Sequence, residues 1–270
     1  MKIGTGMRAT VFLGGGRITS ALVAGLRLAK YDKPIVVHDR HPAKLQQLKK
    51  QYGVTIERNL QRAVQQAELL IIAVRPDSVS DLLQKIGKIS RPLSAVSLAA
   101  GIPLSNLRAR LGPRGRWARA MPSPVCRTGH GLTALTFDRT FSRTARHEVR
   151  NLFENVGSVL DVPESQFDAF TVTYSSSHGY HALATLADAA QKLGLDRKTA
   201  LIAAAHALAD GILSWREGKI PLDRLLHEAA TPGGIAAAVM NAMDSFGYKR
   251  TIQQGLQAGL TRARKNANRA

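Results

Sequence analysis

The sequence predicts an α/β fold, a Rossmann-type doubly wound sheet followed by an all-helical domain. Three observations predict it. Short apolar runs alternate with amphipathic stretches through the first half of the chain. A triple glycine separates the first run from the first helical pattern. Beyond Asp161-Val162-Pro163 the strand patterns cease and Ala-rich helical periodicity takes over.

Ala9-Thr10-Val11-Phe12-Leu13 reads as the first strand and ends at Gly14-Gly15-Gly16. The helix after it places Ile18, Leu22, Leu26 and Leu28 on or near one face. Ile35-Val36-Val37 is a second strand, and Pro42 opens a helix with Leu45 and Leu48 on its apolar side. Leu69 to Val74 is apolar throughout, as a parallel strand covered on both faces must be. Leu93 to Leu98, Trp117 to Met121 and Leu132 to Leu135 supply further strands.

Helices are expected from about Tyr180 to Leu193, Lys198 to Trp215, Gly234 to Phe246, and from Tyr248 onward. Gly194, Gly218 and Gly247 stand where such helices end, and the tail from Arg262 to Asn266 is expected to fray. The pattern divides the chain into a dinucleotide-binding domain, 1–161, and a helical domain, 162–270. Helices this rich in alanine are slim and do not fill a core alone. A homodimer through the helical domain, with larger assemblies of dimers open, is therefore expected, and a monomeric helical cap is the other arrangement.

The 270 residues are 44% hydrophobic and 21% charged, within globular norms. No apolar run has the length of a membrane-spanning helix, and Met1 to Met7 lacks the apolar core of a secretory signal. One cysteine, Cys126, excludes an intrachain disulfide framework or a multi-thiolate metal site. A soluble cytoplasmic protein is the expectation. The net charge is +19, and residues 1–135 hold 22 basic and 6 acidic residues. That excess points to an anionic partner, phosphate groups or nucleic acid, or simply to a solvated basic surface. At 5% aromatic content, a stacking platform for single-stranded nucleic acid is disfavoured.

The glycine loop lies between a strand and a helix, where a dinucleotide fingerprint belongs. Gly14 serves the turn, Gly16 the approach to a pyrophosphate, and Thr19 with Ala21 the small packing positions. Gly14, Gly16, Arg17 and Ile18 are therefore expected to bind the cofactor, with the helix N-terminus facing the phosphates. Asp39 ends the second strand, where a carboxylate accepts ribose hydroxyls and repels a 2′-phosphate. Arg40 and Arg17 point the other way, because guanidinium groups clamp a phosphate bidentately. NADH and NADPH both remain open.

At this point the chain resembles the pyrroline-5-carboxylate reductase family from about Thr10 to about Arg264. The resemblance rests on the glycine loop, Ile72-Ala73-Val74-Arg75-Pro76, Ser97-Leu98-Ala99-Ala100-Gly101-Ile102 and Ala120-Met121-Pro122. Gly129-His130-Gly131-Leu132-Thr133-Ala134-Leu135, Lys192-Leu193-Gly194-Leu195 and Thr231-Pro232-Gly233-Gly234 continue it in the family's order. It implies a Rossmann domain carrying NADPH or NADH, a helical domain intertwined with a second subunit, and reduction of the cyclic imine to proline. It further implies that Ala73, Val74 and Pro76 flank the nicotinamide or its ribose, with Ala99, Ala100 and Gly101 near the ring. Independently, both segments end apolar strands, where ligands bind in open α/β sheets.

Departures from the family fall on the substrate side. Ser123-Pro124-Val125 replaces the usual Asn-Thr-Pro. Tyr174-Ser175-Ser176-Ser177-His178-Gly179-Tyr180 stands where a Ser-Gly-Ser-Gly-Pro-Ala-Tyr turn is usual, and Ile235 and Ala236 replace two threonines. These changes predict weak or absent proline formation and a bulkier or less polar substrate. The candidates for catalysis are Ser176, His178 and Tyr180: hydroxyls to bind a carboxylate or carbonyl, and an imidazole as general acid or base. Tyr174 is a second candidate hydroxyl. The serines equally suit a helix cap. His178 and His181 lie one helical turn apart but lack further ligands in sequence, so no metal is expected. Alternatives to imine reduction are a same-fold reductase of another imine or a hydroxy acid, and a catalytically silent nucleotide-binding protein engaging a polyanion. Nucleic acid is the weaker candidate partner.

Overall fold

A computed structural model describes residues 8–108 and 110–268; the segment 1–7, considered above for a secretory signal, lies outside them. Eight strands form one sheet: β1 (Ala9–Leu13), β2 (Ile35–His38), β3 (Thr55–Ile56), β4 (Ala67–Ile72), β5 (Leu93–Ser97), β6 (Gly115–Pro122), β7 (Gly131–Phe137) and β8 (Gly157–Asp161). Their order is β3-β2-β1-β4-β5-β6-β7-β8. All neighbours pair in parallel except β6 and β7, which are antiparallel. The strand order reverses between β1 and β4, which opens a crevice at the carboxyl edge of the sheet.

Helices α1 (Arg17–Leu28), α2 (Pro42–Tyr52), α3 (Leu60–Gln66), α4 (Val79–Ile86), α5 (Leu104–Arg108), α6 (Arg143–Glu154) and α7 (Glu164–Thr173) accompany the sheet. Alternate residues of β1 serve two cores. Phe12 packs with Leu22, Leu26, Val37 and Ile71, whereas Val11 and Leu13 pack with Val36, Leu70 and Ile72. This period of two is what a strand covered on both faces produces. Leu28 departs from expectation. It is 65% exposed, because the apolar stripe of α1 ends with Leu26 and the last turn faces solvent.

The remaining helices are α8 (Ser176–Lys192), α9 (Arg197–Glu217), α10 (Leu222–Ala229), α11 (Ile235–Ser245) and α12 (Tyr248–Ala267). The chain separates into two compact units, one running to Tyr174 and resuming at Gly259, the other Ser175–Ala258. The helical domain read from the sequence starts earlier, at 162; by its contacts, α7 groups with the sheet. The expected fraying of the tail is corrected, because α12 continues to Ala267. Its last turns are fastened to the sheet unit: Asn106 Nδ2 donates to the Ala267 carbonyl at 2.7 Å, and Asn266 Nδ2 to that of Ala100 at 3.3 Å. Gly101, at φ +77°, lies so close to α12 that a Cβ would come within 2.6 Å of the Ala263 carbonyl.

The Ser175–Ala258 unit buries little of its own apolar surface. Ala187, Ala200 and Ala204 form its small core. Ile212, Trp215, Leu226, Val239 and Tyr248 are exposed, and Ile235 and Phe246 are 87% and 89% exposed. No helix among the described residues is long and apolar enough to cross a membrane.

Candidate cofactor and substrate site

The loop between β1 and α1 is shaped by two glycines in different ways. Gly14 sits at φ +113°, and a Cβ there would lie 2.6 Å from the Ala73 carbonyl oxygen. Glycine is required because the loop must cross directly over the end of β4. Gly16 has an ordinary φ of −81°, and a Cβ on it would meet nothing within 4 Å. Its open side faces no part of the chain, which leaves room for a ligand's backbone approach. Thr19 Oγ1 donates to the Gly14 carbonyl at 2.5 Å, so the third fingerprint position closes the loop as well as packing small.

Helix α1 starts at Arg17 with no side-chain cap and no acidic residue in its first turn. The first N–H groups of a helix have no intrahelical acceptor and carry the positive end of its dipole. Twelve residues of α1, uncapped and opening beside the crevice, suit a pyrophosphate.

Asp39 ends β2 with its carboxylate turned back on the loop. Its Oδ2 accepts the Gly15 N–H at 2.7 Å, and its Oδ1 accepts the His41 N–H at 2.8 Å. Arg40 and Arg17 are exposed nearby in sequence terms, at the strand end and the helix start. Ala73, Val74 and Pro76 follow β4 and stay partly exposed at the sheet edge, whereas Ala99, after β5, is buried in the core. The four strand ends thus bring all the expected cofactor residues to the carboxyl edge. The residues present fit a dinucleotide, because the one glycine side that would obstruct it is vacant of protein atoms.

The expected catalytic residues lie in the other unit, at the start of α8. Ser175 caps the helix by accepting the Ser177 N–H, and its Oγ lies 2.7 Å from Ser177 Oγ. At 100° per residue, Ser176 and Tyr180 share one face while His178 projects from the opposite side. The helix therefore groups the two hydroxyls and separates the imidazole from them. Tyr174 is not available to a substrate, contrary to the sequence reading. Its hydroxyl donates to the Leu132 carbonyl at 2.9 Å and accepts the Leu132 N–H at 3.2 Å, riveting the end of α7 to β7.

A buried ion cluster was not foreseen. Arg119, 1% exposed on β6, donates to Glu164 Oε1 at 3.0 Å and to Asp168 Oδ1, with its guanidinium over the Phe167 ring. Glu164 Oε1 also accepts the Leu104 N–H at 2.9 Å. One arginine thus anchors α7 to the sheet and, through Glu164, to α5. A charged residue within the apolar Trp117-Ala118-Arg119-Ala120-Met121 is the signal that could have found it. Cys126 is fully buried, and burial pushes its thiol up to about 12, so it packs and does not act as a nucleophile.

Comparison with known proteins agrees with this geometry. Residues 10–101 match the family model described as NADP oxidoreductase coenzyme F420-dependent, and residues 164–266 match pyrroline-5-carboxylate reductase dimerisation. A pyrroline-5-carboxylate reductase of Thermus thermophilus is 33% identical over 258 residues, covering 93% of this chain and 95% of its own. One of Mycobacterium tuberculosis is 29% identical over 285 residues, covering 96% of each chain. Among solved structures, 1-pyrroline-5-carboxylate reductase from Streptococcus pyogenes superposes with a TM-score of 0.87 at 22% identity, covering 95% of this chain and 98% of that one. The Plasmodium falciparum enzyme with NADP bound gives 0.85 at 20% identity, covering 97% and 100%. With the glycine loop, the doubly wound sheet and the helical domain all matched in order along nearly the whole length, the chain belongs to the pyrroline-5-carboxylate reductase family.

Proposed function

We propose that the protein reduces the C=N bond of 1-pyrroline-5-carboxylate with NADPH or NADH, forming proline, and works as a homodimer through its helical domain. The observation that carries this reading is the loop from Gly14 to Thr19: tight against β4 on one side, open at Gly16, and followed by an uncapped helix. Membership in the family supplies the substrate class, and this reading replaces the weak or absent proline formation and the bulkier substrate expected from the changes at Ser123-Pro124-Val125, Ile235 and Ala236. The exposed apolar residues of the Ser175–Ala258 unit supply the reason for a second copy. A reduced nicotinamide pool and an unpaired thiol such as Cys126 both suit the cytoplasm.

A dinucleotide held here would supply the hydride. The N–H groups at the start of α1 would hold its pyrophosphate, and Ala73, Val74, Pro76 and Ala99 would stand at the nicotinamide end. Ser176 and Tyr180, sharing a face of α8, hold the substrate carboxylate through their hydroxyls. The imine carbon is electrophilic only when its nitrogen is protonated; His178, on the side of α8 opposite to Ser176 and Tyr180, does not face a substrate held by those two hydroxyls and is not assigned that proton. Orientation does most of the remaining work, since an aligned pair of reactants needs little further chemistry from the protein. No observation favours a hydroxy acid substrate, or a silent polyanion-binding protein, over this reading.

Steady-state oxidation of NADPH with pyrroline-5-carboxylate tests it. The wild type is expected to turn over, and Ser176→Ala with Tyr180→Phe to lose turnover while keeping cofactor affinity. Full activity in the double variant would remove this cluster from the site. A wild type that binds cofactor but never oxidises it with this imine would overturn the reading.

A further inference from the structure

We propose that the amino edge of the sheet, the side away from the glycine loop, docks the phosphate backbone of a double-stranded nucleic acid through Arg8, Lys88, Arg114 and Arg116. The proposal stands on charge and its placement, independently of the cofactor reading. From Leu82 to Phe137 the chain holds nine basic residues and no acidic one. Arg119 is held in the buried cluster with Glu164 and Asp168, and Arg108 pairs with Asp138. Arg91 turns inward, its Nη2 donating to the carbonyls of Val64 at 3.2 Å, Gln65 at 3.3 Å and Ala67.

The topology gathers other cations at one end of the sheet. β1, β4, β5 and β6 are consecutive parallel neighbours, so their first residues share an edge. Arg8 directly precedes β1. Arg114 directly precedes β6, and Arg116 is its second residue, level with Ser94 near the start of β5. Lys88 joins them, because a Cβ on Gly112 would lie 3.7 Å from its Cγ. Burial, and after it the charge of Arg8, holds the Arg91 guanidinium below the usual arginine range, which places Arg8 and Arg91 together. Adjacent strands are about 4.8 Å apart, so the starts of β1 and β6 stand about 14 Å from one another.

The acids at this end are answered. Glu68, at the start of β4, pairs with Lys33 at 3.6 Å, and Asp138 is only 3% exposed in its pair with Arg108. Arg8, Lys88 and Arg114 are exposed and Arg116 is partly so; none has an acidic partner among the described residues.

What the edge lacks narrows the partner. Between Lys33 and Pro124 no large hydrophobic or aromatic side chain is exposed among the described residues. Unstacked bases find no platform, and a lipid surface finds no apolar anchor. A duplex carries a phosphate about every 1.7 Å of its axis, both strands counted, so four fixed cations meet several without reading a base. The glycine loop stays clear, because the five residues of β1 separate the two edges by about 16 Å.

Fluorescence anisotropy of a short labelled DNA duplex, an RNA duplex and a single strand of the same sequence, each titrated with the full chain, tests this. The duplexes are expected to bind with a Kd of about 1–100 µM at about 150 mM salt, and log K to fall against log salt with a slope of about −3 to −4 per edge engaged. Binding of either duplex supports the proposal, the tighter arm naming DNA or RNA. Arg114→Ala with Arg116→Ala should weaken duplex binding at least about tenfold and flatten the slope by about 2, with NADPH affinity unchanged within about twofold. Should that pair not fold, Arg8→Ala with Lys88→Ala, both outside the strands, repeats the test. Arg197→Ala with Lys198→Ala removes as much charge from the start of α9 and should change duplex affinity less than about twofold. No duplex binding even at about 50 mM salt overturns the proposal, as does an equal loss in the α9 pair or tighter binding of the single strand. A chain that sediments with phosphatidylserine vesicles and leaves both duplexes free overturns it in favour of a membrane.

Discussion

Val11, Phe12, Leu70, Ile71 and Trp117 are fully buried within the sheet unit, whereas in the helical unit Ile212, Trp215, Ile235 and Phe246 lie open and only three alanines are buried. Both regions are built from regular elements, and each holds helices with and without a side-chain cap, so local structure does not explain the contrast. Partnership does. A doubly wound sheet hides both of its faces under helices of the same chain. Alanine-rich helices approach one another closely but leave their larger apolar side chains outside. At about 25 cal/mol per Å² of apolar surface, covering that face with a second copy stabilises it substantially. The cofactor loop is therefore a property of one chain, and the substrate half depends on assembly.

The largest expected effect sharpens the contrast at the loop. Gly16→Val fills the one vacant side of the glycine loop and is expected to abolish dinucleotide binding while leaving the melting temperature of the cofactor-free protein nearly unchanged. Gly14→Ala should do the reverse first. Its φ of +113° and the 2.6 Å approach to the Ala73 carbonyl make the fold itself suffer, by about 1–3 kcal/mol. Fluorescence titration and thermal melting, made on both variants, separate the two outcomes.

Ile212→Glu is aimed at the other half. A carboxylate on the exposed apolar face should weaken self-association by more than about a hundredfold, since a buried unpaired charge costs several kcal/mol. Light scattering across a dilution series reads it, and the sheet unit's cofactor loop should stay folded. An unchanged dimer would place the interface elsewhere.

Ile235→Thr with Ala236→Thr tests the substrate side of the same half. Each hydroxyl that gains a hydrogen bond to a charged group contributes about 1.5–3 kcal/mol, so kcat/KM for pyrroline-5-carboxylate should rise about ten- to a hundredfold for each of the two that engages the substrate. No change would show that neither position holds the substrate. The smallest effect concerns Cys126. Its thiol stays protonated in the folded state up to about pH 12, while the unfolded thiol ionises near pH 9. The unfolded state then binds fewer protons, so stability is lost as pH rises between those values. Cys126→Ser should flatten that alkaline decline, and the native thiol should resist labelling until denaturant is added.

The sheet was legible because strands buried on both faces must be continuous apolar runs, as Leu69 to Ile72 is. β3 and β8 escaped that test. Thr55–Ile56 is only half-buried, and Gly157–Asp161 is an edge strand with Ser158, Leu160 and Asp161 exposed. Neither carries the pattern of a covered strand. The cofactor loop was legible because its residues are consecutive. The Arg119 cluster was not, because its partners stand 45 and 49 residues away. The tail from Arg262 to Asn266 does not fray as expected, because Ala263 packs against Gly101, a contact between residues far apart in sequence. His178 shows a different limit: proximity in sequence to Ser176 became opposition on a helix.

Hydride transfer to a C=N bond is tested most directly by following the hydrogen. The wild-type dimer would be incubated with pyrroline-5-carboxylate and NADPH deuterated at the transferable position of the nicotinamide, and the product read by mass spectrometry and NMR. Proline carrying one deuterium at the carbon formerly double-bonded to nitrogen is the expected product. Proline without deuterium, or no product from a dimer that binds NADPH, would contradict it.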